Sequence, residues 1–262
     1  YFDAPFDLHT LSEQDNEDMR AVYFGLIAEV DHQIGRIIDH LKTTGEYDNT
    51  LIIFTSDHGE MLGDHWSWGK GGFFDASNHV PLIIRDPHAS ASTRGRRVNA
   101  FTESVDLMPT ILEWMGCDVP SEANGGSLAT WLQGETPPSW RRAVFWEFDF
   151  RNPVTKRYET ALNLSSDECT LNVLRDHHYK YVHFTALPPL LFDLKRDPDE
   201  LHNLAGDPAY GSVIADYAQR LLSHRMLHAE RTLTNAMLSP KGVIYRNEPR
   251  GRPDTLYAPI IP

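Results

Sequence analysis

Apolar residues first fall into register at Met19, Val22, Tyr23, Leu26, Ile27, Val30, Ile34, Ile37, Ile38 and Leu41. Steps of three and four lay one stripe along a helix, and the pattern predicts a helix over about 12–44. Ser12 with Asp15 fits a capping pair at its start. Gly45 stands where a helix stop is expected. Then Leu51-Ile52-Ile53-Phe54-Thr55 runs continuously apolar and rich in β-formers, and Val80-Pro81-Leu82-Ile83-Ile84 has the same character. Such strands are buried on both faces, the habit of a parallel sheet covered by helices. Val105, Leu107, Met108, Ile111, Leu112 and Met115 mark a further helix that Gly116 closes. Helix, strand, strand, helix is the order of an α/β layer fold.

The pattern changes at Gly134-Glu135-Thr136-Pro137-Pro138-Ser139, a turn-rich boundary. Beyond it, short β-like pieces at 143–148, 157–164, 170–174, 179–184 and 190–194 predict a small antiparallel sheet. A helix over about 210–232 packs on that sheet with Ile214, Tyr217, Leu221, Leu222 and Met226 as its stripe. The stretch 239–262 is proline-rich and shows no helical or strand period. Its apolar residues, among them Val243, Ile244, Leu256, Ile260 and Ile261, suit an exchanged arm that docks on a neighbouring subunit. The expected organisation is an α/β portion over 1–134, an α+β subdomain over 135–238 and an arm over 239–262.

The apolar share of 41% can fill a core. Charge narrows the partners: 24 basic against 37 acidic residues leave a net charge of −13. A chain so acidic repels nucleic acid and anionic membrane surfaces, and no apolar run is long enough to span a bilayer. An anionic substrate therefore needs a metal ion or a few placed cations. Cys117 and Cys169 make neither a disulfide framework nor a CxxC pair.

The chemistry-bearing stretch is Thr55-Ser56-Asp57-His58-Gly59-Glu60-Met61-Leu62-Gly63-Asp64-His65, followed by Lys70 between glycines. It begins where a buried strand ends, the place where open α/β sheets hold their ligands. Gly59 permits a turn on which Asp57 and His58 converge on one divalent metal, with Ca²⁺ or Mn²⁺ suited to the oxygen and nitrogen donors. The same pair also fits a turn cap beside a hydrogen-bonded histidine. Lys70 in Gly69-Lys70-Gly71-Gly72 supplies a point charge for an anion, or is a plain loop lysine. Glu60, Asp64 and His65 complete the cluster, His65 in the role of orienting a metal ligand by hydrogen bond. His79 and Asp106 read as a structural histidine and an end-capping device, and Cys117 as a small buried hydrophobe.

This stretch, with Lys70 and the Val80–Ile84 run, resembles the second metal-binding segment of the sulfatases, in the alkaline phosphatase superfamily. The Val105–Leu112 helix, Leu191-Phe192-Asp193-Leu194 with Asp197–Leu204, and His228–Thr234 resemble further segments, most closely those of bacterial phosphonate monoester hydrolases and arylsulfatases. The resemblance runs from about Phe24 to Gly242 and implies an alkaline-phosphatase-like sheet covered by helices, then a small subdomain of antiparallel sheet plus helix. It implies that Asp57 and His58 are metal ligands and that Lys70 contacts the substrate's anionic oxygens. Many sulfatases carry Asn where this chain has His58. The family's nucleophile, a cysteine converted to formylglycine in a Cys-x-Pro-x-Arg or Ser-x-Pro-x-Arg pattern, has no match here. Cys117 is followed by Asp118-Val119-Pro120 and Cys169 by Thr170-Leu171-Asn172. Nothing before Phe24 resembles the family's first metal-binding aspartates.

The expectation is therefore the C-terminal half of a metal-dependent hydrolase of sulfate, phosphate or phosphonate monoesters. Its partners would be a small anionic ester, an N-terminal half carrying the formylglycine, and further copies in a homo-oligomer. The isolated half is expected to be inactive. A non-catalytic metal- or anion-binding module, an assembly subunit, and a phosphodiesterase or phosphomutase of the same superfamily stay open as alternatives.

Overall fold

The computed structural model describes residues 11–120, 123–228, 236–240 and 242–245. The chain forms two compact units, 1–91 and 92–262, so the Gly134–Ser139 turn falls inside the second. No helix among the described residues is long and apolar enough to cross a membrane.

The first unit begins with α1 (Glu13–Thr44). Ser12 caps it reciprocally: its Oγ accepts from the Asp15 N–H at 3.1 Å, and the Asp15 carboxylate accepts from the Ser12 N–H at 2.8 Å. Gly45 ends it in the left-handed region at φ 78°, a conformation that glycine adopts without steric penalty. None of its residues is buried, and Val22, Phe24, Leu26, Ile27, Val30 and Ile37 are all exposed. Strand β1 (Ile52–Thr55), α2 (Asp75–Asn78) and β2 (Leu82–Arg85) follow. The parallel-sheet expectation for the two strands is corrected: β1 and β2 pair with each other, antiparallel, Ile53 opposite Ile84 and Phe54 opposite Ile83. Nor are they closed on both faces, since Phe54 and Ile83 are exposed. A continuous apolar run reports a demand for burial and says nothing of the direction of the neighbouring strand.

In the second unit, a 3₁₀ turn (Ser104–Asp106) leads into α3 (Leu107–Trp114), and Gly116 at φ 72° follows its end. A short α4 (Ala129–Leu132) precedes the sheet. Strands β3 (Val144–Asp149), β4 (Thr170–Arg175), β5 (Tyr179–Phe184) and β6 (Leu190–Asp193) make an antiparallel meander in chain order. Between β3 and β4 stands α5 (Arg157–Leu162), where the sequence suggested a strand. Tyr158, Ala161 and Leu162 sit three and four apart, a helical spacing hidden in a short segment. Helix α6 (Gly211–His228) lies against β4 and β5, and Tyr217 and Leu221 join Ala143, Leu174, Tyr181 and Leu191 in the core. Strands β7 (Ala236–Ser239) and β8 (Gly242–Tyr245) pair as a hairpin, so the start of the tail has the β structure that its proline content argued against. The rest of the expected arm, 246–262, lies outside the described residues.

Asp106 has no solvent exposure. It does cap, accepting from the Glu103 N–H at 2.8 Å, but it also accepts from the Gly126 N–H at 2.8 Å and from both terminal nitrogens of Arg141. Arg141 Nε lies 3.3 Å from the Glu103 carboxylate, and Glu103 in turn accepts from the Phe145 N–H at 2.9 Å. These bonds tie the start of α3 to the start of β3. Cys117 is exposed, not buried: it lies past Gly116, off the stripe of α3.

Candidate active-site loop

Beyond β1 the chain turns at Ser56-Asp57-His58-Gly59. The Ser56 hydroxyl donates to the His58 carbonyl at 2.7 Å, and the His58 N–H donates to Asp57 Oδ1 at 3.0 Å. Gly59 is needed for close approach, because a Cβ there would collide with the Ala76 carbonyl. Its N–H donates to Ser77 O at 2.8 Å, tying the turn to α2.

The Asp57 side chain is 83% exposed and that of His58 38% exposed, with His58 Nε2 3.5 Å from Asp57 Oδ2. His58 Nδ1 lies 2.7 Å from the Gly59 carbonyl. A carbonyl only accepts, so Nδ1 carries a hydrogen, and Nε2 is the ring nitrogen that faces the carboxylate. Two donor atoms 3.5 Å apart on one turn can face a common cation, and an imidazole nitrogen beside a carboxylate oxygen suits a divalent ion. Desolvation would raise the Asp57 carboxyl. It is outweighed by the His58 N–H bond, the His58 ring and the Lys70 charge, which hold the carboxyl below its usual value. Among the described residues no group of three or more His, Cys, Asp or Glu could hold a metal.

From Glu60 to Lys70 the chain makes a closed loop. The Met61 N–H donates to Gly69 O at 2.9 Å, and Glu60 Oε1 accepts from the Gly69 N–H at 2.5 Å and from the Leu62 N–H at 3.3 Å. Glu60 therefore pins the loop's two ends together and fixes where Lys70 departs. Met61 and Trp68 are buried beneath it. Trp68 Nε1 donates to Asn16 Oδ1 at 2.9 Å and Arg20 Nε to Leu62 O at 2.6 Å, so α1 carries the loop on its N-terminal turns. Asn16, Arg20 and the clamping role of Glu60 escape sequence reasoning. The Asn16 and Arg20 contacts span 52 and 42 residues and leave no local signal. His65 stacks on Phe74 with ring centroids 3.7 Å apart, and its carbonyl accepts from the Ser67 hydroxyl. Lys70 is exposed, as is His79, whose N–H donates to Asp75 O at 2.7 Å. Cys169 is fully buried, and that burial raises its thiol pKa.

Two family models match the chain: the sulfatase model over residues 4–117, and the N-sulphoglucosamine sulphohydrolase C-terminal model over 63–226. The multifunctional alkaline phosphatase superfamily protein PehA of Trinickia caryophylli is 50% identical over 238 residues, which cover 91% of this chain and 46% of that protein. The crystal structure of a phosphonate monoester hydrolase of Agrobacterium radiobacter superposes with a TM-score of 0.84 at 50% identity, over 90% of this chain and 47% of its own. The phosphonate monoester hydrolase SpPMH of Silicibacter pomeroyi gives 0.84 at 41% identity, over 92% and 48%. The chain thus spans about half the length of the relatives it matches.

Proposed function

The chain belongs to the sulfatase family, and from that premise we propose that its natural protein hydrolyses sulfate, phosphate or phosphonate monoesters and that this chain supplies half of the metal site. Asp57 and His58 hold one divalent ion, Ca²⁺ or Mn²⁺. When bound, such an ion supplies Lewis-acid charge to the nucleophile and to the oxygens of the transferring group. Lys70 binds those oxygens and stabilises the charge that grows on them in the transition state. The hydrogen bond from His58 Nδ1 to Gly59 O fixes the ring so that Nε2 is offered to the ion. His65, stacked on Phe74 in the same loop, stiffens the segment that leads to Lys70.

Neither cysteine here suits the nucleophile, because Cys169 is sealed in the core and Cys117 lacks the Pro-x-Arg context. The formylglycine then belongs to the part of the relatives' length that this chain does not cover. The observation that carries the reading is the convergence of His58 Nε2 and Asp57 Oδ2, within the field of Lys70, just beyond β1. In the natural protein, the double variant Asp57→Ala/His58→Ala should lose stoichiometric metal in elemental analysis. Lys70→Ala should keep the metal while turnover falls by about 10²–10³, the loss expected for one charge-stabilising donor. Unchanged metal content in the double variant refutes the ligand assignment.

A further inference from the structure

The loop between Glu60 and Lys70 holds three of the six described non-glycine residues with positive φ: Leu62 at 51°, His65 at 50° and Trp66 at 54°. Left-handed backbone is ordinary for glycine and strained for a bulky side chain, and such strain persists where the surrounding structure over-determines it. Here the surroundings do so. The Trp66 N–H donates to Gly63 O at 3.1 Å, Gly63 N–H to Ser67 O at 2.8 Å, and Ser67 N–H to Asp64 O at 3.0 Å. The strained backbone does not serve burial of the indole, since Trp66 is 75% exposed. Two positions on, Trp68 does the opposite: buried, it donates to Asn16 and holds the loop down. One tryptophan anchors the loop and the other stands out from it.

The loop's place gives the exposed indole a use. Its outgoing end follows His58 and Gly59 directly, and its returning end leads from Gly69 into Lys70. On the proposed function, an anionic ester held by Lys70 and the Asp57–His58 pair would sit at the root of the loop, with its leaving group free to extend toward the tip that carries Trp66. We propose that the Trp66 indole is the face on which that leaving group packs, so that Trp66 sets a preference for flat, apolar alcohols over small ones. The proposal rests on the reading of Asp57, His58 and Lys70 given above. Tryptophan offers a broad apolar face at little conformational cost, and the strain fixes that face before substrate arrives.

The test uses the natural protein that contains this chain and compares the phenyl and methyl monoesters of an acid it turns over. Trp66→Gly should lower the phenyl-to-methyl ratio of kcat/KM by roughly 3- to 10-fold, the range of one aromatic stacking contact. Trp66→Phe should restore most of that ratio. The thermal midpoint of the glycine variant should hold or rise, because glycine takes φ 54° without strain. An unchanged ratio, or a fallen midpoint that marks Trp66 as a packing residue, overturns the proposal. Lys70→Ala slows both esters alike if the head group sits at the loop's root. Failure of that arm alone refutes the head-group reading, and the ester ratio still decides the role of Trp66.

Discussion

Replacing Arg141 with Met removes the cation from a buried group of three charges. Asp106 is fully buried and the Arg141 side chain is only 8% exposed, so water cannot replace the guanidinium. Asp106 would keep two backbone N–H donors, from Glu103 and Gly126, and lose the bidentate arginine. Breaking a buried pair from one side costs about 3–5 kcal/mol, because an uncompensated charge stays behind. For a domain of this size, about 2–4 °C per kcal/mol turns that into a fall of roughly 6–20 °C in Tm. Arg141→Lys should lose less, since it keeps the charge and forfeits only the fork. The pH dependence has a definite sign. Burial already raises the Glu103 pKa, against the pull of Arg141 and the Phe145 N–H, and Asp106 adds to the rise. A group with a raised folded pKa binds its proton more tightly in the native state, so stability increases as pH falls through its window. Without Arg141 that window extends upward, and the variant's deficit should shrink on acidification from pH 7 toward 5. Urea denaturation of the natural protein at several pH values reads both effects. A loss under about 1 kcal/mol, or a deficit that grows toward acid, refutes the reasoning.

Gly59→Ala would drive a methyl group into the Ala76 carbonyl, so the turn that presents Asp57 and His58 must open; metal content and Tm should fall together, and a variant with both intact would contradict the fit. Burial, then the charges of His228, Arg141 and Arg225, lower His224 to about 3. The unfolded state therefore takes up a proton there before the native state does, and this contribution to stability fades as pH drops from about 6.5 toward 3. An NMR titration should find the His224 ring neutral down to about pH 4; a midpoint above about 5 would contradict its burial against Phe145, whose ring lies 3.5 Å from it, centroid to centroid.

What the sequence reveals here is what lies within a few residues. Ser12 with Asp15, the stop at Gly45 and the four sheet strands are local in origin, and the structure has them. Asp57 and His58 attract attention because they are adjacent at a strand's end, a position that carries its own prior. Arg141 reaches Asp106 across 35 positions, and no local pattern marks either as half of an ion pair. The antiparallel pairing of β1 with β2 escapes for a related reason: hydrophobicity specifies burial, and topology decides which backbone arrives alongside. Helix α5 stays hidden because six residues are too few for the period of 3.6 to separate from an irregular β piece.

Asn16 and Arg20, which carry the loop, stand in the first turns of a helix 32 residues long. At 1.5 Å per residue that is a rod of about 48 Å. These two contacts lie near one end; at the other, Lys42 lies over the Tyr47 ring, and Arg85 of β2 donates to the Tyr47 carbonyl, so the helix links the loop to the start of β1. A small tilt applied at His40 or Lys42 arrives at Leu62 and Trp68 as a displacement of the segment that sets Lys70. On the proposed function, a contact made along the exposed apolar stripe of α1 would therefore also act on the anion site. On that reading, substitutions far along the helix would alter substrate affinity while Asp57, His58 and Lys70 stay the same.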